Sequence, residues 1–192
     1  MKIVGLLLAA GAATRFGSDK LLHPLPHGVP IAVQAVRHLK VVFERILVVV
    51  RPGARELSEM FRGEDCEIVV CENADQGMGE SLACAVRAAG NADGYLVALA
   101  DMPFIRPSSI AAVRDALLGG APLAAPYFRA LRGHPVGIAS KFFPELERLT
   151  GDEGAKKLLA THAVELVKIP VGDPGVIRDT DRPEDLTPPI VA

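Results

Sequence analysis

The hydrophobic positions of the chain fall into short apolar runs that alternate with segments of helical spacing. Residues 3–8 and 45–50 are apolar at almost every position, which is typical of strands buried on both faces of a parallel sheet. Between them, residues 31–39 carry apolar side chains at positions 31, 32, 33, 35, 36 and 39, and this spacing predicts a helix packed on the sheet. The same patterns predict strands at residues 67–70, 94–100, 122–126 and 163–170, a strand entered at 134–138, a short strand at 176–181, and helices at 54–61, 81–89, 107–118, 141–150 and 154–161.

This order of elements indicates an α/β fold. The first part of the chain reads strand, helix, strand, helix, strand, so we expect a mostly parallel, Rossmann-like sheet with right-handed crossovers and helices on both faces. In such sheets the ligand binds in the crevice at the carboxyl ends of the strands. The polar segments that follow the strands are therefore the places to look for functional residues.

Length and composition limit the possible classes of protein. The chain has 192 residues, enough for one domain with a substantial core, and we expect a single domain over residues 1–192. A hydrophobic content of 49% with 23% charged residues is typical of a globular protein and not of a disordered one. A formal net charge of −2 without runs of like charge predicts neither nucleic acid nor a membrane surface as partner.

The cysteines and the start of the chain suggest a cytoplasmic location. The three cysteines, Cys66, Cys71 and Cys84, lack the spacing of a Cys-x-x-Cys motif, and an odd number argues against a disulfide framework. The first residues resemble a secretory signal, but they run without a break into a polar loop, and cleavage would remove the first strand. We therefore expect thiols in a reducing cytosol.

The loop after the first strand is the strongest functional signal. Residues 9–14 are small, so a ligand can approach the backbone closely and its N–H groups can bind an anion. Arg15 and Lys20 add two cations to the same loop. A strand, a loop of small residues and two cations together predict a phosphate-binding site.

Two well-known glycine-rich loops do not fit this segment. The Walker loop has four residues between its glycines and then Lys-Ser/Thr, whereas five separate Gly11 from Gly17 here and Ser18 follows directly. The dinucleotide-binding fingerprint requires glycine two positions after the first one, and that position is Ala13.

A second polar segment, residues 73–80, precedes the helix predicted at 81–89. Ser81 is placed to cap that helix. Alternatively, the free N–H groups and the positive end of the helix dipole favour an anion, with Gly77 and Gly79 permitting close approach.

Three aspartates are candidate metal ligands. Asp101 directly follows the strand predicted at 94–100, and burying an unpaired carboxylate there costs several kcal/mol. A divalent cation or a helix N-terminus is a suitable partner. Asp179 and Asp181 are two residues apart, so on an extended strand both point to one face; the alternative is a salt-bridged or capping pair.

Residues 127–133 are predicted to form a loop that crosses the active face of the sheet, where the ligand is expected to bind. Arg129 and Arg132 lie on it and His134 follows. A lone histidine in such a position is more often structural than catalytic.

Asp152 and Glu153 lie in a predicted turn, where they favour the N-terminus of the following helix.

These groups suit phosphoryl-type transfer, in which catalysis is mostly positioning and charge neutralisation. We expect Lys20 and Asp101 to lie close enough to share one metal-bound polyphosphate. An attacking phosphomonoester oxygen is already ionised near neutral pH, so no side-chain nucleophile or general base is required.

Six short motifs resemble, in order, those of the MobA-like nucleotidyltransferases, and most of all those of the molybdenum cofactor cytidylyltransferases. The motifs are Leu-Ala-Ala-Gly-x-x-x-Arg-Phe-Gly-x-x-Lys-Leu-Leu at 8–22, Gly-Met-Gly-Glu-Ser-Leu at 77–82, Ala-Asp-Met-Pro at 100–103, Arg-Gly-His-Pro-Val at 132–136, Gly-Asp-Glu-Gly-Ala at 151–155 and Asp-Thr-Asp-Arg-Pro-Glu-Asp at 179–185. They span essentially the whole chain.

The resemblance implies a three-layer sandwich of the nucleotide-diphospho-sugar transferase type and a Mg²⁺-dependent (or Mn²⁺-dependent) reaction. CMP would move from CTP to the phosphate of molybdenum-molybdopterin, pyrophosphate would leave, and a molybdoenzyme would be a possible recipient of the cofactor. Ala10 resembles the cytidylyl branch more than the guanylyl branch, and GTP, another acceptor such as a sugar phosphate, or a non-catalytic cofactor chaperone remain alternatives. The implied roles are catalysis by Arg15, Lys20 and Asp101; nucleotide binding by Leu8, Ala9, Ala10, Gly11, Gly77, Gly79 and Ser81; metal binding by Asp101 with Asp179 or Asp181; and acceptor binding by Arg129, Arg132 and His134.

Overall fold

A computed structural model describes residues 1–11, 20–152 and 154–188 of the chain. The described residues form eight strands: β1 (Ile3–Leu8), β2 (Ile46–Val50), β3 (Glu67–Val70), β4 (Gly94–Leu99), β5 (Leu123–Phe128), β6 (Leu131–Arg132), β7 (Val136–Ala139) and β8 (Leu166–Pro170). They also form six α-helices: α1 (Ile31–Lys40), α2 (Arg55–Gly63), α3 (Met78–Ala89), α4 (Pro107–Leu118), α5 (Phe143–Leu146) and α6 (Lys156–Thr161). Short 3₁₀ turns lie at Lys20–Leu22, Ala74–Gln76, Ser140–Phe142, Ala163–Glu165, Pro174–Ile177 and Pro183–Leu186.

The strands make one mixed sheet in the order β3-β2-β1-β4-β7-β5-β6, with β8 paired to β5. Strands β1 to β4 are mutually parallel. Strand β7 is antiparallel to both β4 and β5, whereas β8 is parallel to β5. Since β6 is antiparallel to β5, β6 and β7 are the two of the eight described strands that run against the others. The prediction of a mostly parallel Rossmann-like sheet is confirmed.

Helices cover both faces of the sheet, which explains the unbroken apolar runs. Successive side chains of a strand point to opposite faces, so Leu7 belongs to one core cluster while Leu6 and Leu8 belong to the other. The first cluster includes residues of α1, α2 and α4, and the second includes residues of α3, α5 and α6. Each fully buried aliphatic side chain contributes roughly 1.5–3 kcal/mol to the free energy of unfolding, so the two clusters fix the positions of the strand ends.

Several predicted elements differ from the structure near its carboxyl-terminal part. The strand predicted at 176–181 is wrong: a 3₁₀ turn occupies Pro174–Ile177, and the described residues 178–181 belong to no strand. The helix predicted at 141–150 is reduced to a 3₁₀ turn and the four-residue α5. Its last residues instead form the turn that packs against α3, so a tertiary contact determines where this helix ends.

The predicted loop at 127–133 is a β-hairpin. Tyr127 pairs with Arg132 and Phe128 with Leu131. The two turn residues, Arg129 and Ala130, have φ angles of 46° and 67°, as a two-residue turn with left-handed residues requires. Because neither is the Gly, Asn or Asp that usually signals this turn, the sequence pattern did not reveal it.

None of the described helices is long and apolar enough to cross a membrane.

Candidate active site

A cavity of about 710 Å³ lies at the carboxyl ends of the parallel strands. Gly11 beyond β1, Arg51 beyond β2 and Asp101 beyond β4 all line it. Its volume is within the range of about 300–1,000 Å³ that is usual for small-molecule sites. The parallel sheet therefore places its ligand site where the strand order predicts, at the carboxyl edge.

Three carboxylates form a cluster at one end of this region. Asp101, Asp179 and Asp181 each offer an oxygen, and these oxygens lie within 4.8 Å of one another. The backbone N–H of Thr180 donates to the carbonyl oxygen of Asp101 at 2.8 Å, which holds the distant segment against the end of β4. Several carboxylate oxygens at this spacing are hard ligands that fit Mg²⁺ or Mn²⁺.

The electrostatics of the cluster are those of crowded negative charge. Burial raises the pKa of Asp179, and the neighbouring charges of Asp181 and Asp101 raise it further. A cation in the cluster favours the ionised form of Asp179. The carboxylates thus need a positive partner.

Lys20 supplies a positive partner. Its Nζ donates to Asp101 Oδ2 at 3.0 Å and to Asp181 Oδ1 at 2.8 Å, and its side chain is only 12% exposed. Burial alone lowers the pKa of Lys20, but attraction by Asp101 and hydrogen bonds to both carboxylates outweigh it, so the pKa is raised. The ammonium therefore remains charged, and Lys20 and Asp101, predicted to act together, are in direct contact.

The segment after β1 contributes the wall of the cavity next to Lys20. Leu8, Ala9, Ala10 and Gly11 line it. Ala9 continues the sheet, since its N–H donates to the Val49 carbonyl at 2.9 Å. The sequence suggested that this N–H could bind an anion, but the hydrogen bond to Val49 already uses it. Arg15 lies outside the described residues, and its catalytic role stays a prediction.

The N-terminus of α3 is closed by a turn of the protein itself. The Gly79 N–H donates to the Gly151 carbonyl at 2.7 Å. A Cβ atom on Gly77 would lie 2.3 Å from the Gly151 carbonyl carbon, and one on Gly79 would lie 2.6 Å from the Thr150 oxygen. These glycines are required by backbone packing, and the 77–82 and 151–155 motifs are partners in one contact.

This contact revises two expectations about α3. Gly77 and Ser81 line the cavity, whereas Gly79 is not among its lining residues. Ser81 as the capping residue is wrong, because α3 begins at Met78 with Gly77 as its N-cap. Asp152 joins the lining beside Gly77, so the turn adds a carboxylate to the cavity.

The predicted acceptor residues lie apart from the cavity lining. Arg129 is in the β5–β6 turn with its guanidinium 5.2 Å from the centre of the Phe128 ring, and Arg132 is exposed on β6. His134 donates its backbone N–H to the Val176 carbonyl at 2.8 Å. Burial lowers the pKa of its imidazole to about 4, so this side chain is neutral near pH 7.

Residues 5–166 match the family model described as the MobA-like NTP transferase domain. The chain belongs to this family. The purine catabolism protein PucB of Bacillus subtilis is 30% identical over 95% of this chain and 93% of its own. The nicotine blue oxidoreductase of Paenarthrobacter nicotinovorans is 28% identical over 96% and 94%, and the molybdenum cofactor guanylyltransferase of Burkholderia ambifaria is 36% identical over 60% and 56%.

Solved structures agree with the fold of this MobA-like chain. The crystal structure of Rv0371c from Mycobacterium tuberculosis has a TM-score of 0.84 and 25% identity, covering 96% of this chain and 94% of that one. A structure of Rv0371c in complex with manganese has a TM-score of 0.81 at 24% identity and covers 96% of both chains. Family membership establishes a nucleotidyltransferase fold and class.

Sequence reasoning missed four polar residues of this MobA-like cavity. Arg51 follows β2, Glu72 and Asp75 follow β3, and Asp152 lies in the turn that closes α3. The first three follow parallel strands, so the rule that led to Asp101 could have found them. Asp152 belongs to the 151–155 motif, but its place in the cavity depends on a long-range contact of its turn with α3, so it was predicted only to favour a helix N-terminus.

Proposed function

We propose that this MobA-like nucleotidyltransferase moves CMP from CTP to the phosphate of molybdenum-molybdopterin, with release of pyrophosphate and formation of molybdopterin cytosine dinucleotide. The observation that carries the proposal is the convergence of Lys20 with Asp101, Asp179 and Asp181 beside a cavity of nucleotide-compatible size. Charge neutralisation by fixed groups is what phosphoryl-type transfer demands.

The chain's own residues have distinct roles in this proposal. The residues after β1 bind the nucleotide, and Lys20, with Arg15, balances the negative charge that develops on the α-phosphate and the departing pyrophosphate. An ionised oxygen of the acceptor phosphate forms the new bond to the α-phosphorus, while the bond to the bridging oxygen of the pyrophosphate breaks. The neutral, enclosed imidazole of His134 is not placed as a general base, and this reaction needs none.

A divalent cation, Mg²⁺ or Mn²⁺, completes the proposed site. Asp101, with Asp179 or Asp181, would hold it, and their mutual spacing of up to 4.8 Å fits a shared ion. When bound, the ion neutralises phosphate charge and orients the triphosphate. The manganese complex of a protein with the same fold is in keeping with this assignment.

CTP is favoured over GTP by the motif with Ala10 after Leu-Ala, which resembles the cytidylyl branch. GTP is the main alternative, because one relative of the chain is named a molybdenum cofactor guanylyltransferase. Transfer to another phosphomonoester, such as a sugar phosphate, is the second alternative, and a nucleotide-binding cofactor chaperone is the third.

The test is pyrophosphate release with CTP, GTP, UTP or ATP, each with and without molybdenum-molybdopterin, and with a sugar phosphate as a competing acceptor. The expected result is release with CTP only when molybdenum-molybdopterin is present, together with formation of the cytosine dinucleotide by mass spectrometry. Release with GTP reassigns the donor, and release with the sugar phosphate alone reassigns the acceptor. Nucleotide binding without pyrophosphate from any pair contradicts the transferase proposal and favours the chaperone.

A further inference from the structure

The carboxylate cluster already contains a cation, the ammonium group of Lys20. Nζ lies 3.0 Å from Asp101 Oδ2 and 2.8 Å from Asp181 Oδ1. These are two of the three carboxylates that form the candidate metal site. An ion bridging the same two carboxylates would need the space that Nζ occupies, and its charge would repel the ammonium at close range.

Lys20 is anchored in a way that lets its charged end move separately from its backbone. It begins the 3₁₀ turn Lys20–Leu22, in which the neighbouring Leu21 is 5% exposed. The four-carbon side chain lines the same cavity as the residues after β1. Rotation about its side-chain bonds can therefore carry the ammonium from the carboxylates toward a ligand in the cavity without a change of fold.

We infer that Lys20 acts as an internal competitor of the divalent ion, holding the carboxylates until a polyphosphate in the cavity attracts the ammonium away. Without nucleotide, the ammonium occupies the place between Asp101 and Asp181 and the ion binds weakly. With nucleotide, the phosphates replace the carboxylates as partners of Lys20, and the ion takes the place of the ammonium beside Asp101. Nucleotide binding therefore strengthens binding of the metal ion. This inference rests on the proposed metal site.

The inference predicts opposite effects of one substitution in two states of the protein. Lys20→Met keeps an unbranched side chain of similar length and removes the charge. Without nucleotide, the variant should bind Mn²⁺ about tenfold more tightly than the wild type, the size expected when one adjacent positive charge is lost. With the non-hydrolysable methylene analogue of CTP, it should bind Mn²⁺ less tightly than the wild type, because the ternary complex lacks a phosphate contact.

The measurement is free Mn²⁺ by electron paramagnetic resonance, titrated into the full chain with and without the analogue. Lys141→Met is the matched control, since Lys141 pairs with Glu165 and is not among the residues that line the cavity; it should behave as wild type in both states. Lys20→Arg retains the charge and should keep Mn²⁺ binding weak without nucleotide. If Lys20→Met does not fold, as judged by circular dichroism, Lys20→Gln takes its place in the same titration.

Asp101→Asn separates failure of this inference from failure of the proposed function. If Asp101→Asn binds Mn²⁺ as the wild type does, the metal is elsewhere and the proposed site is wrong. If Asp101→Asn loses Mn²⁺ but the uncharged Lys20 variant binds it no better than the wild type without nucleotide, the metal site stands and the competition is overturned.

Discussion

The two halves of the sheet differ in how directly they contact the candidate site. The half made of β1 to β4 is entirely parallel and ends at the cavity, and it delivers Gly11, Arg51 and Asp101 to the lining. The half containing β5 to β7 includes the antiparallel pairs, and its motif residues Arg132 and His134 are not among the lining residues. Motif residues that follow β1 and β4 therefore line the cavity, whereas Arg132 and His134 lie apart from it.

The largest expected effect comes from Asp101 at the end of β4. Asp101→Asn keeps the size of the side chain but removes a charge from the metal cluster, so turnover should fall by about 10³-fold or more. The readout is pyrophosphate release over a Mn²⁺ and Mg²⁺ titration, and chelator should abolish wild-type turnover. Full turnover in excess chelator contradicts metal dependence. Asp115→Asn is a control, because Asp115 pairs with the adjacent Arg114 on the surface.

Loss of the Lys20 charge should have the next largest effect on turnover. Lys20→Ala removes one contact to charge that develops in the transition state, which typically costs about 10²–10³ in rate. The measurement is turnover at saturating nucleotide and metal, so that weaker binding does not mask the chemical step. An unchanged rate under these conditions removes Lys20 from the mechanism, whatever its effect on metal binding in the absence of nucleotide.

The parallel half could be predicted well from the sequence because its signals are local. A strand buried on both faces must be apolar throughout, and β1 (Ile3–Leu8), which is buried from Val4 onward, has the predicted bounds. The partly exposed edge strand β3 (Glu67–Val70) and the helix α4 (Pro107–Leu118) also have the predicted bounds. The rule that ligands bind at the carboxyl edge then selects Asp101 without any three-dimensional information. The parallel pairing of β1 with β4 sets Leu8 opposite Leu99, so Asp101 lies beside the segment that follows β1.

The remaining errors arise where distant contacts determine the local conformation. Residues 176–181 were expected to form a strand, but the position of this segment depends on the hydrogen bond from the Thr180 N–H to the Asp101 carbonyl. The glycines of the 77–82 motif were predicted to be ligand contacts, and the turn at Thr150 and Gly151 packs against both of them, while Gly77 also lines the cavity. Local patterns carry no information about such partners, which lie about 70 or more residues away along the chain.

The enclosed imidazole of His134 should make stability depend on pH. Its pKa falls from 6.5 to about 4 in the folded protein because burial disfavours the charged form. The unfolded chain therefore binds more protons between these values, so the free energy of unfolding is highest above pH 6.5 and decreases as the pH falls toward 4. A shift of this size corresponds to about 3 kcal/mol.

Urea unfolding of the wild type and His134→Gln at several pH values between 4 and 7 tests this. In the variant, the slope of the unfolding free energy against pH should decrease by the contribution of about one proton. Part of the slope should remain, because burial also lowers the pKa of His38. His27→Gln, on the exposed surface, should retain the wild-type slope. Equal slopes for wild type and His134→Gln would assign the pH dependence to other groups.

A packing role for the motif glycine of α3 predicts a smaller effect on stability. In Gly79→Ala the new methyl group meets backbone atoms of Thr150 and Gly151 at 2.6–2.8 Å, and overpacking of this kind costs about 1–3 kcal/mol. Gly63→Ala at the end of α2 is the matched control, since no atom lies within 4 Å of its added Cβ. The midpoint of urea unfolding should fall for Gly79→Ala and not for Gly63→Ala. A midpoint of Gly79→Ala equal to that of the wild type would contradict a packing role for Gly79.

The smallest effect is expected on the hairpin, and it distinguishes the two halves of the sheet most directly. Arg132 is exposed on β6 and lies outside the cavity lining, while the motif resemblance assigns it to the acceptor phosphate. Arg132→Ala should therefore raise the KM for the acceptor by about tenfold, the value of one charge-assisted hydrogen bond, and leave the KM for CTP unchanged. A change in the KM for CTP would extend the nucleotide site to the hairpin. No change in either KM would leave Arg132 without a role in binding, and acceptor recognition would then belong to the cavity residues of the parallel half.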